Sequence, residues 1–287
     1  MNAKLKLLMN EFHIDETDSV FSSIPSSPST QSDEIKLRQK VASSHYDDYL
    51  MAISKSHSIP VMDYEIKRFL SLVPLDGVIL DIGGCWGWHW RKLHQQRPDV
   101  SVVIVDFVRE NFEHTKRMLG KVVGSQIVLM HADATRLPFQ DADKAKVSFD
   151  AIWSVQTYQH IPSLQGAVLE AFRVLSRGGM LSTYSLHRTP LIKCIYRLFG
   201  KRMHTDGEVV GTYLLNRGCD AHREIISDVF EKQRVVDRYT ECLFHPDLKF
   251  SFAGKENSML GRIDILLTDS IFSNWMARQR SFEVRKK

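Results

Sequence analysis

The sequence predicts an α/β protein built on a doubly wound, mostly parallel sheet. Three observations predict it. From residue 78 onward, short apolar runs alternate with segments of helical period. The first run ends in an acid and breaks into glycines and aromatics, VILDIGGCWGWHW, and two later runs, SVVIVD and QIVLMHAD, also end in aspartate. Such alternation marks strand-helix-strand units, whose strands lie side by side and parallel.

Composition sets the bounds. The chain has 287 residues, 43% apolar and 25% charged, enough for one large domain or for one domain with a smaller cap. A formal charge of +4 is too small and too dispersed for a nucleic-acid surface, so no nucleic-acid partner is expected. Cys85, Cys194, Cys219 and Cys242 show no CxxC spacing, which offers neither a zinc site nor a disulfide framework, and no metal is expected. No apolar run approaches the roughly 20 residues that span a bilayer, and the N-terminal stretch is too acidic for a secretory signal. A cytoplasmic location is the expectation.

The elements follow in order. Residues 1–34 read as a flexible tail and linker, because SSIPSSPSTQSDE cannot bury enough apolar surface to order itself. Residues 35–74 read as N-terminal helices forming a lid, with helical patterning over 33–54 and an apolar face over 61–72. Residues 75–287 form the main domain: strand VILDI, a helix from Trp88, strand SVVIVDF, a helix over 109–119, then strands QIVLMHAD and FDAIWSV. A helix over 163–175 meets a Gly178-Gly179 stop before the strand MLSTYSLH.

In such sheets, ligands sit beyond the carboxyl ends of the strands. Gly83 and Gly87 permit tight backbone conformations and close approach by a ligand. The loop from Asp81 to Gly87 differs from a pyrophosphate-binding G-x-G-x-x-G in its leading acid and its internal Trp86, which suits an amino group better than a phosphate. Asp106 lies nineteen residues after Gly87, where a carboxylate can accept both hydroxyls of a ribose. Asp133 and Ala134 end the third strand, where an acid or a backbone amide can meet an adenine edge. Three strand-end acids are thereby expected to face one groove.

At these residues the chain resembles the class I S-adenosylmethionine-dependent methyltransferases, in the small-molecule branch often called methyltransferase type 11. The resemblance covers roughly residues 72–187 and is carried by VILDIGGCWG, VVIVDF, HADATRLPF, SFDAIWSVQTYQHI and VLEAFRVLSRGGML. It implies a Rossmann-like sheet of seven strands with the last antiparallel, helical cap insertions at about 188–212 and 245–277, and S-adenosylmethionine as cofactor. It places Asp81, Gly83, Cys85 and Gly87 around the methionine moiety, Asp106 and Phe107 at the ribose and adenine, and Asp133 with Ala134 at the adenine edge. Gln156 would close the pocket, and Tyr46 would fold over the cofactor from the lid. Cys85 stands where the family usually has glycine.

The implied chemistry is in-line attack of a nucleophile on a sulfonium methyl, driven mainly by positioning in a dry pocket. His160, after the fourth strand, is the first candidate base, with a structural or cofactor-gating use weighed above it; His187, after the fifth, is the second, with a solvated strand-end role beside it. The expected acceptor is an oxygen or carbon of a small molecule: a secondary metabolite, a glycan sugar or a lipid-linked ring. Two alternatives are an RNA or protein methyltransferase and a catalytically silent cofactor-binding relative. Ser154-Val155-Gln156-Thr157, in place of Asn/Asp-Pro-Pro-Tyr/Phe, speaks against methylation of planar amines. In the first insertion Lys193, Arg197 and Lys201 share one helical face and Leu191, Ile195 and Leu198 another. A lid over the acceptor is the favoured reading, with membrane-surface contact the weaker one.

Overall fold

The computed structural model describes residues 3–10, 12, 14–15, 19–23, 36, 39–187, 189–200, 219–246 and 251–287. Nine strands form one sheet: β1 (Ile14–Asp15), β2 (Val20–Ser22), β3 (Val78–Ile82), β4 (Ser101–Asp106), β5 (Ile127–His131), β6 (Phe149–Val155), β7 (Leu175–Leu186), β8 (Val236–Thr240) and β9 (Gln279–Arg285). Their spatial order is β1-β2-β5-β4-β3-β6-β7-β9-β8. Strands β3 to β7 are parallel, and β9 is antiparallel to both of its neighbours, β7 and β8.

The expected seven strands are β3 to β9, and the chain adds two more at the β5 edge. Val20 pairs with Leu129 and Phe21 with Met130 in parallel register. The tail expected over residues 1–34 is therefore ordered in part: Ala3–Met9 is a helix, and Leu5, Met9, Val20 and Phe21 are buried. The apolar residues of KLKLLM and VFS are few, but Leu5 and Met9 enter the core on one face of the sheet and VFS pairs with the edge of β5, partners that their composition does not reveal. Residues 24–35, the core of the expected linker, lie outside the described residues.

Every residue of β3 and β4 is buried, because helices cover both faces of the sheet. Leu80, Ile82, Val103 and Val105 share one core with the helices Leu164–Val174 and Cys219–Val229. Ile79, Val102 and Ile104 share the other with Ile59–Leu72. That second helix is also anchored by charge. Glu65 is fully buried and accepts from Tyr184 Oη at 2.7 Å and Arg238 Nη2 at 2.6 Å, while Arg68 pairs with Glu283. A buried carboxylate is tolerated here because two donors from β7 and β8 satisfy it.

Two local readings change. The helix expected over 33–54 is interrupted: the Ser43 and Ser44 hydroxyls donate back to the Lys40 carbonyl, and Asp48 starts a new helix, Tyr49–Ile53, by accepting from the Met51 amide. The glycine pair does not separate helix from strand either. β7 begins at Leu175, and its register on β6 jumps from Phe149↔Leu175 to Ala151↔Met180, so that Gly178 and Gly179 form a bulge inside the strand.

The cap elements gather at the carboxyl edge. The first insertion contributes the helix Pro190–Leu198, and the second contributes Met259–Leu267 and Ser273–Met276. Residues 201–218, including Lys201, and residues 247–250 lie outside the described residues. Among the described residues no helix is long and apolar enough to cross a membrane.

Candidate cofactor site

The carboxyl ends of β3, β4, β5 and β6 open on one cavity of about 250 Å³. From β3 and its loop come Ile82, Gly83 and Cys85; from β4, Asp106, Phe107 and Val108, with Asn111 from the next helix. β5 gives Ala132, Asp133 and Ala134, and β6 gives Val155, Gln156 and Thr157, followed by His160 and Ile161. His57 reaches the cavity from the N-terminal lid, between the helices Tyr49–Ile53 and Ile59–Leu72.

The loop is built for close approach. Gly83 has φ +72°, and a Cβ there would lie 2.2 Å from the Thr157 side chain. Only glycine lets the loop press against the end of β6. Cys85 also has positive φ, 48°, and its amide donates to Asp106 Oδ2 at 3.0 Å. The other oxygen of Asp106 accepts from the Val108 amide at 2.8 Å and from Asn111 Nδ2 at 3.3 Å. Three donors thus hold this carboxylate at the cavity wall. Asp133 Oδ1 accepts from both the amide and the hydroxyl of Thr135 at 2.8 Å, a turn that fixes the β5 end of the cavity.

Gln156 carries the most direct sign of a ligand. Its backbone takes φ 54° while its amide nitrogen donates to the Tyr184 carbonyl at 2.8 Å. Its side-chain Nε2 is buried on the cavity wall with no hydrogen-bond partner among the described residues. An unpaired buried amide costs about 1–3 kcal/mol, which an accepting ligand would offset.

Other expected residues take different places. Asp81 does not line the cavity. It is buried below the loop, where its Oδ2 accepts from Trp90 Nε1 at 2.6 Å, and a Cβ on Gly84 would meet that same oxygen at 2.3 Å. Two strand-end acids, not three, face the cavity, because Asp81 stands one residue before the end of β3, under the glycine loop, whereas Asp106 is the last residue of β4. Gly87 also faces away: its φ is +67°, and a Cβ there would meet Thr115 and Leu119 of the helix Asn111–Leu119. Tyr46 stacks on Trp86 at 4.6 Å instead of reaching the cavity. Tyr49 joins it through a 2.9 Å hydrogen bond to His114 Nδ1, so the lid clamps the outer side of the loop. His187 lies beyond β7 with its ring 5.6 Å from Tyr239 of β8, outside the cavity. The residue continues the strand past the point where β6 turns into the cavity wall, which carries its ring toward β8. Burial, with Arg280 adding, pushes its pKa down to about 4, while Asp220 and Asp237 oppose.

His160 does line the cavity. Leu186 donates its amide to Gln159 Oε1 at 3.1 Å, which turns the Gln159 NH₂ toward His160 Nε2 at 3.2 Å. With Nε2 accepting, the neutral ring carries its proton on Nδ1.

His57, Asn111 and Thr157 are the polar cavity residues that sequence reasoning missed. Thr157 follows Gln156 directly and Asn111 lies five residues past Asp106, so proximity to the strand ends was a usable signal for both. For His57 there was none, since the lid folds back over more than twenty intervening residues. Its Nδ1 is buried without a hydrogen bond among the described residues. Burial pushes its pKa down to about 4, Glu241 opposing and Arg278 adding, so the ring is neutral near pH 7.

Comparison with known proteins agrees with this geometry. Residues 80–183 match the family described as "Methyltransferase domain". The chain is 30% identical over 121 residues to malonyl-[acyl-carrier protein] O-methyltransferase of Geobacter sulfurreducens, covering 41% of this chain and 43% of that protein. It is 31% identical over 136 residues to demethylmenaquinone methyltransferase of Roseiflexus castenholzii, covering 47% and 54%. The chain thus spans about half the length of these curated relatives. Its fold is similar to that of a SAM-dependent methyltransferase from Thermotoga maritima, with TM-score 0.54 and 16% identity over 82% of this chain and 91% of that one. The family match runs from β3 into β7, through the loops that enclose the cavity, so the part of the chain that builds this site is similar to the methyltransferase domain of that family.

Proposed function

We propose that this chain transfers a methyl group from S-adenosylmethionine to an oxygen or carbon of a small-molecule acceptor. The observation that carries the reading is the pairing, in one cavity, of the Asp106 carboxylate on β4 with the unpartnered Gln156 amide on β6. The residues fit the cofactor. The Asp106 carboxylate, an acceptor on both oxygens, stands on the cavity wall where the hydroxyls of a ribose would meet it. Asp133 and Ala134 stand at the β5 end for an adenine edge, Phe107 and Ile161 add apolar wall, and Gly83 and Cys85 line the loop side.

When bound, the cofactor supplies a methyl group on a positively charged sulfonium, open to nucleophilic attack. The chain's own share is to bind, align and exclude water, which lowers the barrier without a dedicated base when the acceptor is already nucleophilic. His160 Nε2 is occupied by Gln159, so this histidine serves as a donor from Nδ1 in preference to a base. His57, held neutral by burial, can exchange a hydrogen bond with a hydroxyl, but its low pKa makes it a weak proton acceptor near pH 7. Of the two relatives, the one acting on demethylmenaquinone supports a small-molecule acceptor, while the other is an O-methyltransferase of a malonyl group carried on a protein; together they do not choose between oxygen and carbon.

Calorimetric titration with S-adenosylmethionine and S-adenosylhomocysteine tests the reading. Saturable binding of both is expected, followed by transfer of radiolabelled methyl to an acceptor. Folded protein that binds neither would overturn it.

A further inference from the structure

An apolar surface stands beside the cavity and takes no part in it. The helix Pro190–Leu198, which follows β7, packs against Ser273–Met276, which precedes β9. Leu186 pairs with Gln279 where those two strands meet, so both helices lie at the carboxyl edge on which the cavity opens. Leu198 is 80% exposed and Phe199 65%; from the neighbouring segment, Ile271 is 82% exposed, Phe272 62% and Trp275 64%. Single exposed apolar residues are ordinary, but five large ones on two packed segments mark an interaction surface.

Its charge selects the occupant. Lys193 and Arg197 are exposed on the same helix as Leu198. Residues 189–200 contain no carboxylate, and the two within 257–277 are engaged: Asp264 is buried, and Asp269 accepts from Arg238 Nη2 at 2.9 Å. A second copy would bring its own cations against these with no free acid between them among the described residues of the two segments. Leucine, isoleucine, tryptophan and phenylalanine flanked by cations suit a bilayer interface carrying negative headgroups.

We propose that this surface docks the protein on an anionic lipid bilayer. Trp275 and Phe272 enter the interfacial layer, Lys193 and Arg197 meet lipid phosphates, and the cavity edge faces the membrane. Docking needs no bound cofactor.

The test is cosedimentation with two sets of vesicles, pure phosphatidylcholine and phosphatidylcholine mixed with phosphatidylglycerol, together with tryptophan emission. The full chain is expected to bind the mixed vesicles at least about tenfold more tightly, with a blue shift. Two exposed double variants, Phe272→Ser/Trp275→Ser and Lys193→Gln/Arg197→Gln, should each lose about tenfold or more while keeping the wild-type melting curve. The proposal is overturned if wild type ignores both vesicles or if the variants bind as wild type does. It is also overturned if light scattering shows the apolar variant abolishing a dimer. Since vesicle binding reads out without methyl transfer, any of these failures leaves the methyltransferase reading to its own titration.

Discussion

Trp90 donates from Nε1 to Asp81 Oδ2 across 2.6 Å, beneath the glycine loop and outside the cavity that the loop frames. The acid that opens the loop motif thus works from below, as a buried support for Gly84 and the turn. Burial, chiefly, pushes its pKa from 3.8 up to about 7, with Trp90 opposing and Asp106 adding.

A pH dependence of stability follows. Between those two values the unfolded chain has lost a proton that the folded chain keeps, so stability falls as pH rises through the window. Asp81→Asn keeps an acceptor for Trp90 and removes the titration. Denaturant unfolding at about pH 4 and about pH 8 should show the variant gaining on wild type by an order of 2–4 kcal/mol at the higher pH. Parallel profiles would mean that Asp81 is ionised in the fold.

Asp106 is the residue for the cofactor itself. Alanine there would strand the Cys85 and Val108 amides that the carboxylate satisfies. Asp106→Asn removes the charge and keeps one accepting oxygen, enough for Val108 and Asn111, so that only the Cys85 amide loses its acceptor. The variant should stay folded and bind S-adenosylhomocysteine at least about tenfold more weakly by calorimetry, the loss of a charge-assisted hydrogen bond being worth roughly 1.5–3 kcal/mol. Unchanged affinity would remove Asp106 from the site.

At Gly83 backbone and space are both restrictive. Gly83→Ala puts a methyl 2.2 Å from Thr157 at φ +72°, and should cost about 2–4 kcal/mol in chemical unfolding. Adding Thr157→Ala should restore only part of that loss, because the positive φ remains.

Much of this was open to reading from residue order, and the reason is local. The strand-end runs VILDIGG and SVVIVD carry their own signals, an apolar stretch closed by an acid and a turn, and β3 to β6 stand where those signals put them. Side-chain direction was less legible. Asp81, Asp106 and Asp133 look alike in sequence, yet Asp81 lies one residue back from the end of β3 and turns under the sheet. Contacts between distant segments were not legible at all: His57 enters the cavity, Tyr46 meets Trp86, and Val20 pairs with Leu129 through tertiary packing that no local pattern encodes.

Cys85 offers a readout of occupancy. It is exposed and lines the cavity, while Cys194 is exposed on the cap helix outside it. Alkylation followed by peptide mass mapping should show S-adenosylhomocysteine slowing modification at Cys85 several-fold and leaving Cys194 unchanged. Equal protection of both would point to a global closure instead of a ligand seated against the loop.

His57 shifts stability in the sense opposite to Asp81. Its pKa falls from 6.5 to about 4 on folding, so between those values the unfolded chain holds a proton that the folded chain refuses. That contribution is complete above about pH 6.5 and is lost as pH falls toward 4. His57→Gln should therefore soften the acid limb of the stability profile, by about 1–2 kcal/mol once solvent on the cavity side is allowed for, and leave the limb above pH 7 untouched. Because Asp81→Asn acts as the pH rises and His57→Gln as it falls, the double variant should show both changes added within about 0.5 kcal/mol if the two groups are uncoupled. A larger discrepancy would show that the buried acid under the loop and the lid histidine on the cavity sense each other through the Trp88–Trp90 turn that lies between them.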